Sequence, residues 1–236
     1  MSSRRIWELD ALRGICILGM VWVHLLYDLS CVGLHITPKF LSLCQQWGGI
    51  AFFLLSGICV TLGKQHIRRG ITVFFCGMLC TAATVALHHL GLIGAEALIF
   101  FGTLHCLGLC MVLWDIFHRF SDQYLGFFGV CICAIGFALE QHRIVATPWL
   151  IPFGFPYPGF ASGDYFPLLP NLGFFLLGAL AGRRLYPQKI SRFPHINTRS
   201  YLIRFLCLCG THSLAIYLLH QPLLTGVIRL ASVFRP

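Results

Sequence analysis

Long apolar runs separated by short polar joints fill this chain. Seven runs reach or approach the roughly 20 residues that cross a bilayer as a helix: 11–34, 47–62, 71–90, 97–114, 124–139, 167–185 and 212–233. The second and fifth are short and need a few flanking residues to span. This pattern predicts an all-α, polytopic integral membrane helix bundle of about seven transmembrane helices, with residues 1–236 forming a single domain. No internal repeat interrupts it, and no polar stretch is long enough for an appended soluble domain.

One stretch breaks the rhythm. Residues 141–170, QHRIVATPWLIPFGFPYPGFASGDYFPLLP, are rich in Pro, Gly and aromatics. Proline removes a backbone donor and blocks a helix interior, and irregular backbone at membrane depth is tolerated only when buried in protein or lining a cavity. The segment therefore reads as a lid or re-entrant loop. An interfacial loop with an aromatic belt is the plainer alternative.

Composition changes the picture only by excluding a soluble protein: 57% of residues are hydrophobic, 11% are charged, and the mean hydropathy is +0.79. The net charge of +9 does not point to nucleic acid, because the basic residues are scattered over the joints rather than gathered in one domain. They report topology instead. With the N-terminus cytoplasmic, Arg4, Arg5, Arg13, Lys64, Arg68, Arg69, Arg119, Arg183, Arg184, Lys189, Arg192, Arg199 and Arg204 fall inside, against Lys39, Arg143, Arg229 and Arg235 outside. That bias predicts N-in and C-out in a multi-pass cell-membrane protein. Arg4 and Arg5 ahead of an apolar run resemble a signal peptide, but the run is too long and lacks a small-residue cleavage site, so it is expected to be retained. The 12 cysteines lie mostly inside apolar runs and form no CxxC, which argues for packing residues rather than a zinc or redox site. No metal and no permanently bound cofactor are expected.

The informative residues are the polar ones inside the runs. Charged groups near the bilayer centre cost about 2.5 kcal/mol or more by insertion scales, so they face a cavity or a partner. Arg13 and His24 lie eleven residues apart, which on a helix returns them to within about 20° of one face, roughly 16 Å apart along the axis. Asp28, four residues beyond His24, shares that face. The plain alternatives are a snorkelling Arg13, a helix-packing His24 and an interfacial Asp28. At 1.5 Å per residue His24 lies roughly 10 Å below the outer surface, and Ser56 and His105 on the second and fourth runs at about 12 to 14 Å. His220 lies a few ångströms deeper, followed by Gln221 and the helix-loosening Pro222. A histidine with an aspartate four residues on is suited to proton transfer, and an arginine on the same face to a phosphate, carbonyl or carboxylate. No P-loop, GxSxG or HExxH is present. Group transfer, a proton-coupled transporter or channel using His24, His105 and His220, and a haem site all remain open.

RIWELDALRGICILGMVWVHLLYDL, AFFLLSG, FGTLHCLGL, DYFPLLPNLGFFLLG and HSLAIYLLHQP, in this order from about residue 4 to 227, resemble the small bacterial members of the heparan-α-glucosaminide N-acetyltransferase catalytic-domain family. The arginine and histidine of the first run, with FF and SG in the second, are also similar to the wider group of transmembrane acyltransferases that acylate surface carbohydrates. The resemblance implies transfer of an acyl group, commonly acetyl, from cytosolic acyl-CoA as co-substrate to an extracytoplasmic sugar or amino sugar. Arg13 and His24 match the arginine and histidine of the surface-sugar enzymes. In the lysosomal enzyme of the family, the histidine thought catalytic lies after the first helix, where this chain has His35. His24 is expected as base or nucleophile, oriented by Asp28. Arg13, Ser56, His105 and His220 are expected to contact substrate. Arg68, Arg69, Arg183 and Arg184 are candidate contacts for CoA phosphates, or topology signals only. Asp164 and Tyr165 are candidate contributors to an acceptor entrance under the 141–170 segment. The implied partners are the lipid bilayer, the acyl-CoA donor and a carbohydrate acceptor; a homodimer is among the assemblies open to the chain.

Overall fold

The computed structural model describes residues 5–31, 37–141 and 147–233, so His35 and Arg143 lie outside the described residues. Among these residues the protein is all-helical, with α1 (Trp7–Cys31), α2 (Pro38–Val60), α3 (His66–His89), α4 (Thr103–Phe117), α5 (Asp122–Gln141), α6 (Leu168–Leu185), α7 (Tyr201–Thr211) and α8 (Ser213–Val233). Short 3-10 turns cover Ala95–Ala97 and Pro148–Phe153. Among the described residues four helices are long and apolar enough to cross a membrane: Trp7–Ser30, Lys39–Val60, His66–His89 and Asp122–Leu139. A fifth exists if α7 and α8, bent by 85° at His212, act as one broken span. The expected runs 97–114 and 167–185 become shorter or less apolar helices, because α4 begins only at Thr103 and α6 carries Asn171, Arg183 and Arg184.

Local chemistry sets the ends. α1 opens with Glu8 and Asp10 in its first turn, where carboxylates complement the positive end of the helix. α3 stops at Gly91, whose φ of +67° suits a residue without a side chain; its N–H donates to the His88 carbonyl and that of Leu92 to the Leu87 carbonyl, closing the last turn. The break between α7 and α8 falls on Thr211-His212-Ser213. The Thr211 hydroxyl and His212 Nδ1 both reach the Leu208 carbonyl, at 2.9 and 3.0 Å, and such side-chain bonds compete with helix continuation.

Two compact units are present: Met1–Phe52 with Gln188–Pro236, and Phe53–Pro187. In the first, α1 packs on α7 and α8. Gly14 and Gly210 permit the α1–α7 crossing, since a methyl at either would overlap the Leu206 or the Asp10 carbonyl. Glu8 is buried there and pins the chain before α7, accepting from the Ser191 hydroxyl and the Arg192 N–H, both at 2.8 Å. In the second unit α3 pairs with α4 and α5 with α6. Gly70 faces Gly108 across the first pair and Gly129 faces Gly173 across the other.

The inside and outside are arranged as lipid demands. His105, Cys106, Cys110, Asn171 and Phe175 are buried, while Phe75, Leu79, Phe127 and Val130 are exposed. Lipid gives no hydrophobic reason to hide a leucine, so helices associate through small residues and internal polar bonds. Cys106, Cys110, Cys133 and Cys209 are buried free thiols, in the packing role expected of them.

Candidate functional site

In the first unit the polar stripe of α1 meets a polar row on α8. Arg13 donates from Nη2 to the Ser213 hydroxyl at 3.2 Å and lies 3.8 Å from Asp10. The ring of His24 stands edge-on to that of His220, with centroids 4.9 Å apart and planes at 64°. The amide nitrogen of Gln221 donates to both Asp28 oxygens, at 3.2 and 3.1 Å. Residue numbers rise together along both helices, so α1 and α8 run in the same direction. The sequence places Arg13, His24 and Asp28 on one face; the structure supplies the opposing groups Ser213, His220 and Gln221.

His220 is buried, and its Nδ1 lies against the Tyr217 carbonyl. A carbonyl only accepts, so Nδ1 carries the hydrogen and Nε2 keeps its lone pair. The two imidazoles therefore meet edge to face, with the tautomer of His220 set by the Tyr217 carbonyl. Asp28, expected to orient His24, is bonded to Gln221, and the ring beside His24 is that of His220, a neighbour that only the packing of α8 reveals.

Ser56 and His105 belong to the second unit. Ser56 is half-buried on α2. His105, in the first turn of α4, is fully enclosed. Its Nδ1 accepts from the Gly102 N–H at 3.2 Å, so its Nε2 carries the hydrogen, 3.4 Å from the Thr81 hydroxyl. Phe74 meets the ring edge-on. Both nitrogens are therefore occupied in holding the start of α4 against α3.

Asp164 and Tyr165 are likewise engaged. Asp164 accepts from the Thr103 N–H and the Thr103 hydroxyl, each at 2.9 Å, capping α4 from the loop. The Tyr165 hydroxyl donates to the Ile151 carbonyl at 2.7 Å, and burial pushes its phenol up to about 12. Backbone bonds from Gly163 to Leu98 and from Phe166 to Phe101 complete the attachment. Residues 147–167 therefore form a tethered loop with one 3-10 turn. Asp164→Ala should lower thermal stability by about 1 to 2 kcal/mol, the usual cost of a lost cap, read as a lower unfolding midpoint in detergent.

Of the four candidate phosphate-binding arginines, Arg68 and Arg69 are exposed in the first turn of α3. Arg183 donates to the carbonyls of His118 and Phe120 and to Asp122, and stacks on Trp114 at 5.2 Å. Arg184 pairs with Asp122 at 3.5 Å. Arg183 therefore closes the exposed end of α4. Sequence reading missed this role, and it also passed over His66, Asp115 and His118, which the fold brings together at the same end of α3 and α4.

Apolar helices with exposed hydrophobic faces and a polar row inside define a helical membrane protein. The chain belongs to the family of heparan-α-glucosaminide N-acetyltransferase catalytic domains, which it matches over residues 5–222. Membership implies a membrane enzyme of the acetyltransferase type. Neither a curated protein nor a solved structure gives a significant match.

Proposed function

We propose that this protein is a multi-pass cell-membrane acyltransferase that moves an acetyl group from cytosolic acetyl-CoA to an extracytoplasmic sugar or amino sugar, residues 1–236 acting as one catalytic domain. The observation that carries the reading is the α1–α8 row, Arg13 with Ser213, His24 with His220 and Asp28 with Gln221, in a chain of this family. The row provides a cation at one end and a base near the other, separated by about 16 Å. A pantetheine arm of about 20 Å covers such a distance, so the nucleotide stays on the cytosolic side while the thioester reaches the histidines.

In this scheme His24 takes a proton from the acceptor amine or hydroxyl as its nitrogen or oxygen attacks the thioester carbonyl. The new N–C or O–C bond forms, the C–S bond breaks, and the leaving thiolate recovers the proton from the imidazolium. Asp28, held by Gln221, stabilises that imidazolium. Arg13 holds the donor. CoA enters and leaves as co-substrate rather than staying bound between turnovers.

Purified protein given labelled acetyl-CoA and a panel of amino sugars and glycans tests the proposal. Label should pass to at least one acceptor. Hydrolysis alone, or acceptor uptake into liposomes without CoA, would overturn it in favour of another activity.

The proposed topology is seven spans, N-in and C-out, with α4 and α6 completing the crossing through their flanking segments. Support comes from the thirteen inner basic residues and from the shared direction of α1 and α8, which requires an odd number of crossings between them, as the five intervening spans of this scheme provide. Reporter fusions after Lys64, Arg119 and Lys189 should read cytoplasmic, and fusions after His89 and Pro158 external. An external reading at Lys189 would reverse the donor side.

A further inference from the structure

We propose that His66, Asp115 and His118 form a binding site for a divalent transition-metal ion of the zinc class, clamping the start of α3 to the end of α4. One ligand atom from each residue lies within 4.8 Å of the other two. His66 begins α3; Asp115 and His118 lie three residues apart, which puts them on one side of the last turn of α4. Two imidazoles and a carboxylate are a donor set that zinc accepts, with a fourth position left for water or another ligand.

Three details favour an ion over an accidental cluster. First, His118 Nδ1 lies 3.2 Å from the Trp114 carbonyl. That oxygen can only accept, so the hydrogen sits on Nδ1 and Nε2 presents a lone pair, the arrangement by which ligating histidines are usually set. Second, His66 Nε2 and Asp115 Oδ1 are 3.1 Å apart and share a hydrogen. A metal ion replaces that N–H···O link when the neutral ring carries its single hydrogen on Nδ1 instead of Nε2, or when the imidazolium gives up its Nε2 proton to solvent. Third, a cavity of about 320 Å³ opens beside the two histidines, lined also by Lys64, Trp114 and Arg183. It gives the open coordination position room.

Arg183 would argue for an anion in this cavity, but its guanidinium is already committed to Asp122 and two carbonyls. Arg119, 3.6 Å from Asp115 Oδ2, holds the second carboxylate oxygen and leaves Oδ1 to the metal. Ligands at about 2 Å from zinc are about 3.3 Å apart in a tetrahedron. The ligand atoms must therefore draw in from a spread of up to 4.8 Å, which the position of His118 at the exposed end of α4 allows.

The full-length protein, purified in detergent and stripped with a chelator, is titrated with Zn²⁺ alone. One ion per chain should bind beyond the level taken by a His66→Ala/His118→Ala double variant, and the thermal midpoint should rise only in the unsubstituted protein. His118→Ala and Asp115→Asn should each weaken binding at least about tenfold. Co²⁺ provides a readout that needs no variant: visible d–d bands without an intense near-ultraviolet thiolate band are expected for nitrogen and oxygen ligands. Failure of the unsubstituted protein to bind, equal binding by the double variant, or a strong thiolate band that assigns the ion to cysteines would each overturn the proposal.

Discussion

His24→Ala is expected to lower acetyl transfer by about 10²- to 10⁴-fold, the usual loss when a positioned general base is removed, while the protein still inserts and folds. The unfolding midpoint should change little, because His24 is only half-buried. Asp28→Asn should slow turnover by less, since the amide still meets Gln221 but no longer stabilises an imidazolium. A packing role for the stripe predicts the reverse, with lost expression or stability and near-normal specific activity in the surviving protein. Full transfer by His24→Ala together with loss in His35→Ala or His105→Ala would move the base elsewhere without disturbing family membership.

Gly210→Ala should produce the largest loss of stability among conservative substitutions, about 1 to 3 kcal/mol. The added methyl would overlap the Asp10 carbonyl and crowd the Gly14 backbone nitrogen, so one helix must move. A backbone carbonyl cannot rotate aside as a flexible side chain can. Gly19→Ala is the control: nothing lies within 4 Å of its added methyl, and alanine is the better helix former, so the midpoint should hold or rise slightly. Equal midpoints for the two variants in detergent would contradict the close α1–α7 crossing.

The membrane character and most helices were legible because lipid imposes a constraint that acts one residue at a time: an apolar run either spans or it does not. Ends were less legible. α2 begins at Pro38 rather than near residue 47, because helix formation tolerates Lys39, Gln45 and Gln46 as well as it tolerates leucine. α7 was not expected, since Arg204 and its basic neighbours read as a joint. Within the segment 141–170 that its prolines set apart, residues 147–167 form a loop with one 3-10 turn, while Gln141 and Leu168 to Pro170 belong to the flanking helices. That Asp164 and Tyr165 are tied to Thr103 and Ile151 could not be read from those prolines.

For the site, helical geometry alone aligned Arg13, His24 and Asp28, because residues eleven and four apart return to one face whatever the helix packs against. What stands opposite that face is a different kind of fact. Ser213, His220 and Gln221 are about 200 positions away in the chain, and their arrival depends on the 85° bend at His212 that redirects α8. His66 meets Asp115 and His118 only because Gly70 and Gly108 let α3 and α4 approach within backbone contact. Sequence determined which residues share a helix face, since that follows from local covalent geometry. Tertiary structure decided which faces meet, since that depends on how closely two backbones pack, and small residues set the distance.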